Sequence, residues 1–406
     1  MGQGKLPQAF LDKVIVVAIL ATIFFLPLSS AITTVCLLLA SVLWLGKLVK
    51  TRGKCFRHTA FDRLVLGFVI VSLASVAVSP DKFFSFYNYC NLMGRYLLLY
   101  YLIVQNITTL RQVKLIGGLM LLSGIGVTLY GFYQYFFGID VTNMLWIDGE
   151  QFPELKTRVF STLQNPNILA GYLIVMMSLI LGVICKIKLK GLKICLGIVF
   201  MLMGMCLAMT YCRGAWLSLL MVIGAYGAFK NRKIILLLGC FIIVVGLFDT
   251  SLSERLLSAF SASDTSSNMR LGIWESTLAM IVDHPLMGIG WGMYWQVYPQ
   301  YDFFIQNDAV KIVHAHNMYL NFAAEIGIIG MVLFVAILFK HLVLALGNTH
   351  LRESNLLNGI VLGAGLAILA MAINGFTDYV LFNIELSMLF WLVCALIVVV
   401  CRCKLP

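Results

Sequence analysis

Two arginines and a histidine carry the chemistry that this chain could do. His316 stands just before an apolar run that opens at Met318, two residues after His314. A neutral imidazole can take a proton from a hydroxyl nucleophile, and an ordinary pKa of about 6.5 suits that work near neutrality. The blander role for a histidine in that place is a cap or a packing residue, and Asn317, a good N-cap, shares the ambiguity. A spacing of two does not put both histidines on one helix face. A zinc pair would therefore need an extended segment and a third ligand, which the sequence does not single out.

Arg270 heads a stretch, Asn268 to Asp283, whose apolar side chains at Leu271, Ile273, Trp274, Leu278, Ile281 and Val282 suit an amphipathic helix on a membrane or a helix bundle. Arg270 and Trp274 are four apart and share a face. A planar guanidinium at such a place is suited to a phosphate or diphosphate; its other reading is an arginine snorkelling to lipid headgroups. Arg213, between Cys212 and Gly214, stands at the junction of two apolar runs, either as an interfacial anchor or as a functional cation. Asp148-Gly149-Glu150 is a close carboxylate pair that could hold a divalent cation, but short acidic turns are common and Asp-x-Asp is absent. The chemistry is therefore expected to run on arginines without a metal.

The elements that must position these residues are membrane helices. The chain has 406 residues, 61% hydrophobic and 12% charged, with a mean hydropathy of +0.95. Soluble domains average about 25% charged residues, so the class is an all-α polytopic membrane protein. A spanning helix needs about 20 apolar residues. That ruler predicts about twelve, near Val14–Ser30, Ala31–Val49, Leu64–Ser79, Asn88–Val104, Leu115–Phe137, Ile168–Cys185, Ile194–Tyr211, Gly214–Phe229, Ile234–Phe248, Met318–Phe339, Leu356–Gly375 and Ile384–Cys401. The chain thus divides into 1–248 with nine spans, 249–317 as one large outer loop, and 318–406 with three spans.

Lysine and arginine concentrate in short cytoplasmic loops. With both termini cytoplasmic, only Lys82, Arg95, Lys156, Arg158, Arg213, Arg255, Arg270 and Lys311 of the 29 basic residues stand outside those loops. The net charge of +11 is therefore an orientation signal, and nucleic acid is not implied. None of the eleven cysteines falls in the large loop, so no disulfide framework is expected. The first apolar segment lacks a following small-residue cleavage site and reads as a retained helix. Arg95 is left inside an apolar run, unexplained by topology. Two smaller outer features remain: Gly138–Pro166, ending in an Asn-Pro turn, and Asn374 to Tyr379 at the end of the eleventh expected span.

Taken together, these residues resemble a known family. Arg158 with Asn165-Pro166-Asn167, Arg213-Gly214-Ala215, Arg270-x-x-x-Trp274, Asp283-His284-Pro285-Leu286 with Gly288-x-Gly290, His316-Asn317-x-Tyr319-Leu320 and Glu325-x-Gly327 look like the O-antigen ligase and polymerase superfamily of bacterial inner-membrane glycosyltransferases. The resemblance runs from about Arg158 to Asp378. It implies a GT-C-like membrane fold with its large periplasmic loop between the ninth and tenth of twelve helices. It also implies inverting, metal-independent and cofactor-free transfer of a glycan from undecaprenyl diphosphate to an acceptor hydroxyl.

By motif position, His316 would be the base, with Arg213 and Arg270 holding the diphosphate. Arg158, Asn167, His314, Asn317, Asp378 and Arg95 are further candidates for substrate contact. One large outer loop favours ligation to lipid A core over polymerisation, in which the growing chain is the acceptor. The rival from another class is a transporter, which would show pseudo-symmetric halves with polar, broken helices at mid-membrane; only Arg95 favours it.

Overall fold

The computed structural model describes residues 8–138, 158–230, 239, 265–304, 311–349 and 355–402. The expected ninth span, the acidic turn Asp148-Gly149-Glu150 and the first part of the large loop lie outside them. The described residues are helical throughout, without strands. In chain order the helices are α1 (Gln8–Phe25), α2 (Ser30–Lys50), α3 (Asp62–Val78), α4 (Lys82–Tyr89), α5 (Arg95–Asn106), α6 (Leu110–Phe137), α7 (Pro166–Lys186), α8 (Lys190–Ala208), α9 (Arg213–Lys230), α10 (Thr265–Asp283), α11 (Met318–Gly347), α12 (Asn355–Asn374) and α13 (Ile384–Arg402).

Eight of these, α1, α2, α6, α7, α8, α11, α12 and α13, are long and apolar enough to cross a membrane. The protein is a polytopic membrane protein. Every expected span other than Ile234–Phe248 has a helix at its place, but not all meet that ruler. α3 stops after 17 residues. The fourth expected span is not one helix: a π-helical turn at Cys90–Gly94 divides α4 from the twelve-residue α5.

The centre of the bundle is α7, α12 and α13, buried along most of their length, whereas α1, α2 and α8 turn much of their surface outward. A helix that is apolar all round belongs in such a centre. α7 and α12 meet backbone to backbone, because a Cβ at Gly182 would strike the backbone of Gly363. Small residues permit that approach where no hydrophobic drive separates protein from lipid.

The described part of the large loop folds as a lobe with a core of its own, built from Ile273, Met280, Ile289, Met293, Tyr294 and Tyr298 together with Ala324 of α11. α10 turns Ile273, Thr277 and Met280 into it, and Thr277 Oγ1 lies 2.6 Å from the Tyr294 hydroxyl. Leu271, Leu278 and Val282, which sequence periodicity also placed in an apolar set, are exposed on α10 instead. They form a second apolar stripe, the surface expected of a helix that rests on a membrane.

One irregularity joins lobe to bundle. α11 breaks at Gly327, where φ is 74° and ψ 171°. The break frees backbone groups that an intact helix would pair, and the run Pro285–Gly292 takes them up. Ile289 N donates to Ala324 O at 2.8 Å, Gly290 N to Glu325 O at 3.1 Å, and Ile328 N to Pro285 O at 2.9 Å. The Glu325 side chain adds a bond, accepting from Tyr294 N at 3.3 Å. From the far side, Ser85 of α4 donates to Trp291 O at 2.8 Å.

A Cβ at Gly327 would collide with the Leu286 carbonyl, and its backbone angles are open only to glycine. Gly327→Ala is therefore expected to destabilise by at least about 2 kcal/mol. It should be read as a lower melting temperature of the detergent-solubilised protein. Gly46→Ala, where nothing lies within 4 Å of the added carbon, should leave that temperature unchanged or raise it slightly.

Candidate functional site

The residues singled out from sequence meet where the N-terminus of α11 faces the end of α12. Asn317 caps α11: its Oδ1 accepts from Tyr319 N at 3.0 Å and from Leu320 N at 3.1 Å. The other end of the same amide donates to Phe376 O at 3.1 Å, and Met318 N donates to Gly375 O at 2.7 Å. The turn that carries Asp378 is thereby fastened to the turn that carries His316. Asn321, which the sequence reading did not flag, anchors the approach by accepting from Ala315 N at 3.0 Å.

His316 adopts a left-handed backbone with φ 47°, uncommon outside glycine. That turn overcomes the spacing of two. It brings the rings of His314 and His316 to 4.2 Å between centroids and lets His316 N donate to His314 Nδ1 at 3.2 Å. His316 Nδ1 lies 3.3 Å from Asp378 Oδ1, with 30% and 4% of the two side chains exposed. Assigning the ring proton to Nδ1, as a carboxylate partner requires, leaves Nε2 with a free lone pair. Asn317 therefore acts here as a cap, and His314 as a support for the His316 backbone.

Asp378 is held ionised. Burial alone would raise its carboxyl, but the hydrogen bond from His316 and its electrostatic interactions, with that of Arg270 among them, outweigh burial and hold it well below the usual carboxylate range. Its Oδ1 also accepts from Tyr379 N at 2.8 Å. Its Oδ2 is buried with no hydrogen-bond partner among the described residues. His314 is driven the other way, down to about 3, chiefly by burial and then by His316 and Arg270 against the opposing charge of Asp378. It is neutral at physiological pH.

Three arginines border this pair. Arg270 sits in the second turn of α10, close enough for its charge to act on both Asp378 and His314. Arg213 opens α9; its neighbour Gly214 packs so closely on Thr377 that a Cβ would crowd the Thr377 hydroxyl. Arg158 is directed inward, its Nε donating to Thr210 O and its Nη2 to Asn167 Oδ1, both at 2.7 Å. Arg158 and Arg270 both act on buried Cys212, the residue before Arg213.

Asn167 thus orients Arg158. No sequence signal marked that pairing, although Asn165 and Pro166 announce the helix start that creates it: Asn165 Oδ1 accepts from Asn167 N at 2.8 Å, and Pro166 occupies the first turn of α7. Arg95 does not join the group. It bonds Thr34 and Asn91 instead.

The third ligand that sequence could not supply for the histidines is present in space. One donor atom each from His314, His316 and Asp378 lie within 4.8 Å of one another. Hydrogen bonds engage His314 Nδ1, His316 Nδ1 and Asp378 Oδ1, an arrangement that serves a proton acceptor directly.

A search of curated proteins finds no match. Residues 198–335, from within α8 through α9, the lobe, His316 and the break in α11, match the family model described as O-Antigen ligase. That stretch is thus similar to the O-antigen ligase family; it holds Arg213, Arg270, His314 and His316, whereas Arg158, Asn167 and Asp378 lie outside it.

Proposed function

We propose that this protein is an O-antigen ligase, which transfers a glycan from undecaprenyl diphosphate to a sugar hydroxyl on lipid A core. The observation that carries the reading is His316 paired to a buried, ionised Asp378 beside the arginines. His316 Nε2 accepts the proton of the acceptor hydroxyl as its oxygen attacks the anomeric carbon. The bond from that carbon to the diphosphate oxygen breaks, and a single displacement inverts the centre. Asp378 stabilises the imidazolium without taking the proton, the division of labour of a buried carboxylate behind a histidine base. Arg213 and Arg270 receive the charge on the departing diphosphate, the role of a cationic fork aimed at developing charge.

The donor and acceptor are lipid-borne, which places the reaction at a membrane surface. Lys and Arg placement supports an orientation with both termini cytoplasmic, in which that surface would be the periplasmic side of a bacterial inner membrane. Bacterial alkaline phosphatase, which matures only outside the cytoplasm, should be active when fused after Asp302 and inactive when fused after Lys188. The reverse pattern would invert the orientation.

The reaction is tested with purified protein, undecaprenyl-diphosphate-linked glycan and lipid A core in EDTA. Wild type is expected to form product under these conditions. His316→Ala should reduce turnover by about 10²–10⁴-fold, Arg270→Ala by about 10²–10³-fold and Asp378→Asn by about 10²-fold or more. Loss of wild-type activity in EDTA, restored by a divalent ion, would assign His314, His316 and Asp378 to a metal. Lengthening of the carrier-linked glycan with the core ignored would make the protein a polymerase. Solute uptake unaffected by His316→Ala, with no transfer, would make it a transporter.

A further inference from the structure

Arg95 is the cation that the reaction leaves unused. It is the first residue of α5, directly after the π-helical turn Cys90–Gly94. Its Nη1 donates to Thr34 Oγ1 and its Nη2 to Asn91 Oδ1, each at 3.2 Å. No carboxylate pairs with it among the described residues. A half-buried guanidinium in a membrane protein ordinarily has an anionic partner, and π-turns gather at functional places.

The surroundings indicate which anion. α2 begins at Ser30, just beyond Pro27, whose carbonyl accepts from Thr162 on the same side of the bundle as Arg158. Thr34, four residues on, is about 6 Å further along the helix. Arg95 thus lies near the outer end of the bundle, at the depth of lipid phosphates rather than mid-membrane.

Most of the valences left open around it are donors. Five N–H groups belong to a guanidinium, and two are spent. The Asn91 amide nitrogen donates to nothing among the described residues, while the Thr34 hydroxyl hydrogen is committed to Ser30 O at 2.8 Å. Apolar surface flanks the notch: Leu38, one turn beyond Thr34 on α2, is 54% exposed, and Tyr87 and Phe86 above Asn91 are 59% and 50% exposed. Donors at headgroup depth between exposed apolar faces match a phosphate attached to acyl or prenyl chains.

We propose that Arg95, Asn91 and Thr34 form a binding site for the phosphate of a membrane lipid in the outer leaflet, separate from the His316 site. Asn91 and Arg95, four residues apart, share one side of the α4–α5 segment, and Thr34 of α2 closes the site. The chemistry is shared by two sources, a phospholipid headgroup and a prenyl diphosphate.

Native mass spectrometry of the full chain in detergent, titrated with dioleoylphosphatidylglycerol, undecaprenyl diphosphate or phosphate-free dioleoylglycerol, tests it. Wild type should hold one or both phosphate lipids more tightly than dioleoylglycerol. Arg95→Gln should weaken that binding by about tenfold, and Arg95→Lys should keep part of it. Asn91→Asp supplies an internal counter-ion 3.2 Å from the guanidinium; it should fold at least as stably as wild type and still lose the lipid. A drop confined to undecaprenyl diphosphate, repeated in an Arg213→Ala/Arg270→Ala background, identifies carrier; a drop with both identifies a headgroup site. Unchanged affinity for both phosphate lipids in Arg95→Gln and Asn91→Asp, or an equal fall for dioleoylglycerol, overturns the proposal. Transfer activity is not read, so the outcome stands apart from that of the ligase assay.

Discussion

The placing of the site depends on backbone pairing across the break in α11. A membrane helix cannot leave amide and carbonyl groups unpaired in an apolar surround, where each costs several kcal/mol. Gly327 frees Ala324 O, Glu325 O and Ile328 N, and the glycine-rich run after Pro285 supplies their partners. The exchange binds both sides, because the lobe segment also needs those groups. Gly288, Gly290 and Gly292 all have positive φ, and the contact surface on Glu325 and Ser79 leaves no room for a Cβ at the first two. α11 therefore fixes the height of the lobe, and with it Arg270, relative to His316 on the same helix's cap.

Within that frame the proposed chemistry is electrostatic. Asp378 is surrounded by positively charged or hydrogen-bond-donating neighbours in a buried setting, where charge interactions exceed their worth in water. An ionised Asp378 suits a base that must be neutral before reaction and charged after it. The neutral state of His314 has the complementary value, since a protonated His314 beside His316 would oppose the imidazolium. Burial in the aromatic setting of Tyr379 and Phe382 keeps it uncharged while its Nδ1 props the strained His316 backbone.

Helix positions were legible in sequence, and the candidate site residues could be named from it, because both rest on local signals. Apolar length marks a membrane helix, and Asn-Pro or His-Asn before an apolar run marks where one begins. The isolated arginines stood out against a strong charge pattern, and Arg213, Arg270, His316 and Asp378 do come together. What stayed hidden is what distant segments do to one another. Nothing at positions 90–94 announces a π-turn, so the fourth expected span looked continuous. The spacing of His314 and His316 argued against cooperation, and only the left-handed angle at His316, imposed by the Asn317 and Asn321 anchors, reverses that. The bond between Asn167 and Arg158, nine residues apart across a loop, was likewise not legible. Periodicity identified the apolar residues of α10 but not which of them enter the lobe core and which lie exposed.

The lobe looks like a separable unit in the sequence, a polar insert between apolar runs, and it has a hydrophobic core. That core, however, is closed by Ala324 from α11, with Phe84 of α4 and Leu320 packed against it. Its glycine-rich edge is completed by carbonyls from the broken helix. Polarity and foldability thus draw different boundaries here. A transplant of residues 265–317 into another scaffold would carry the arginine but lose the groups that hold it in register. The smallest portable unit is a discontinuous one, comprising the lobe, the start of α11 through Ile328 and the stretch from Ser79 to Asn88.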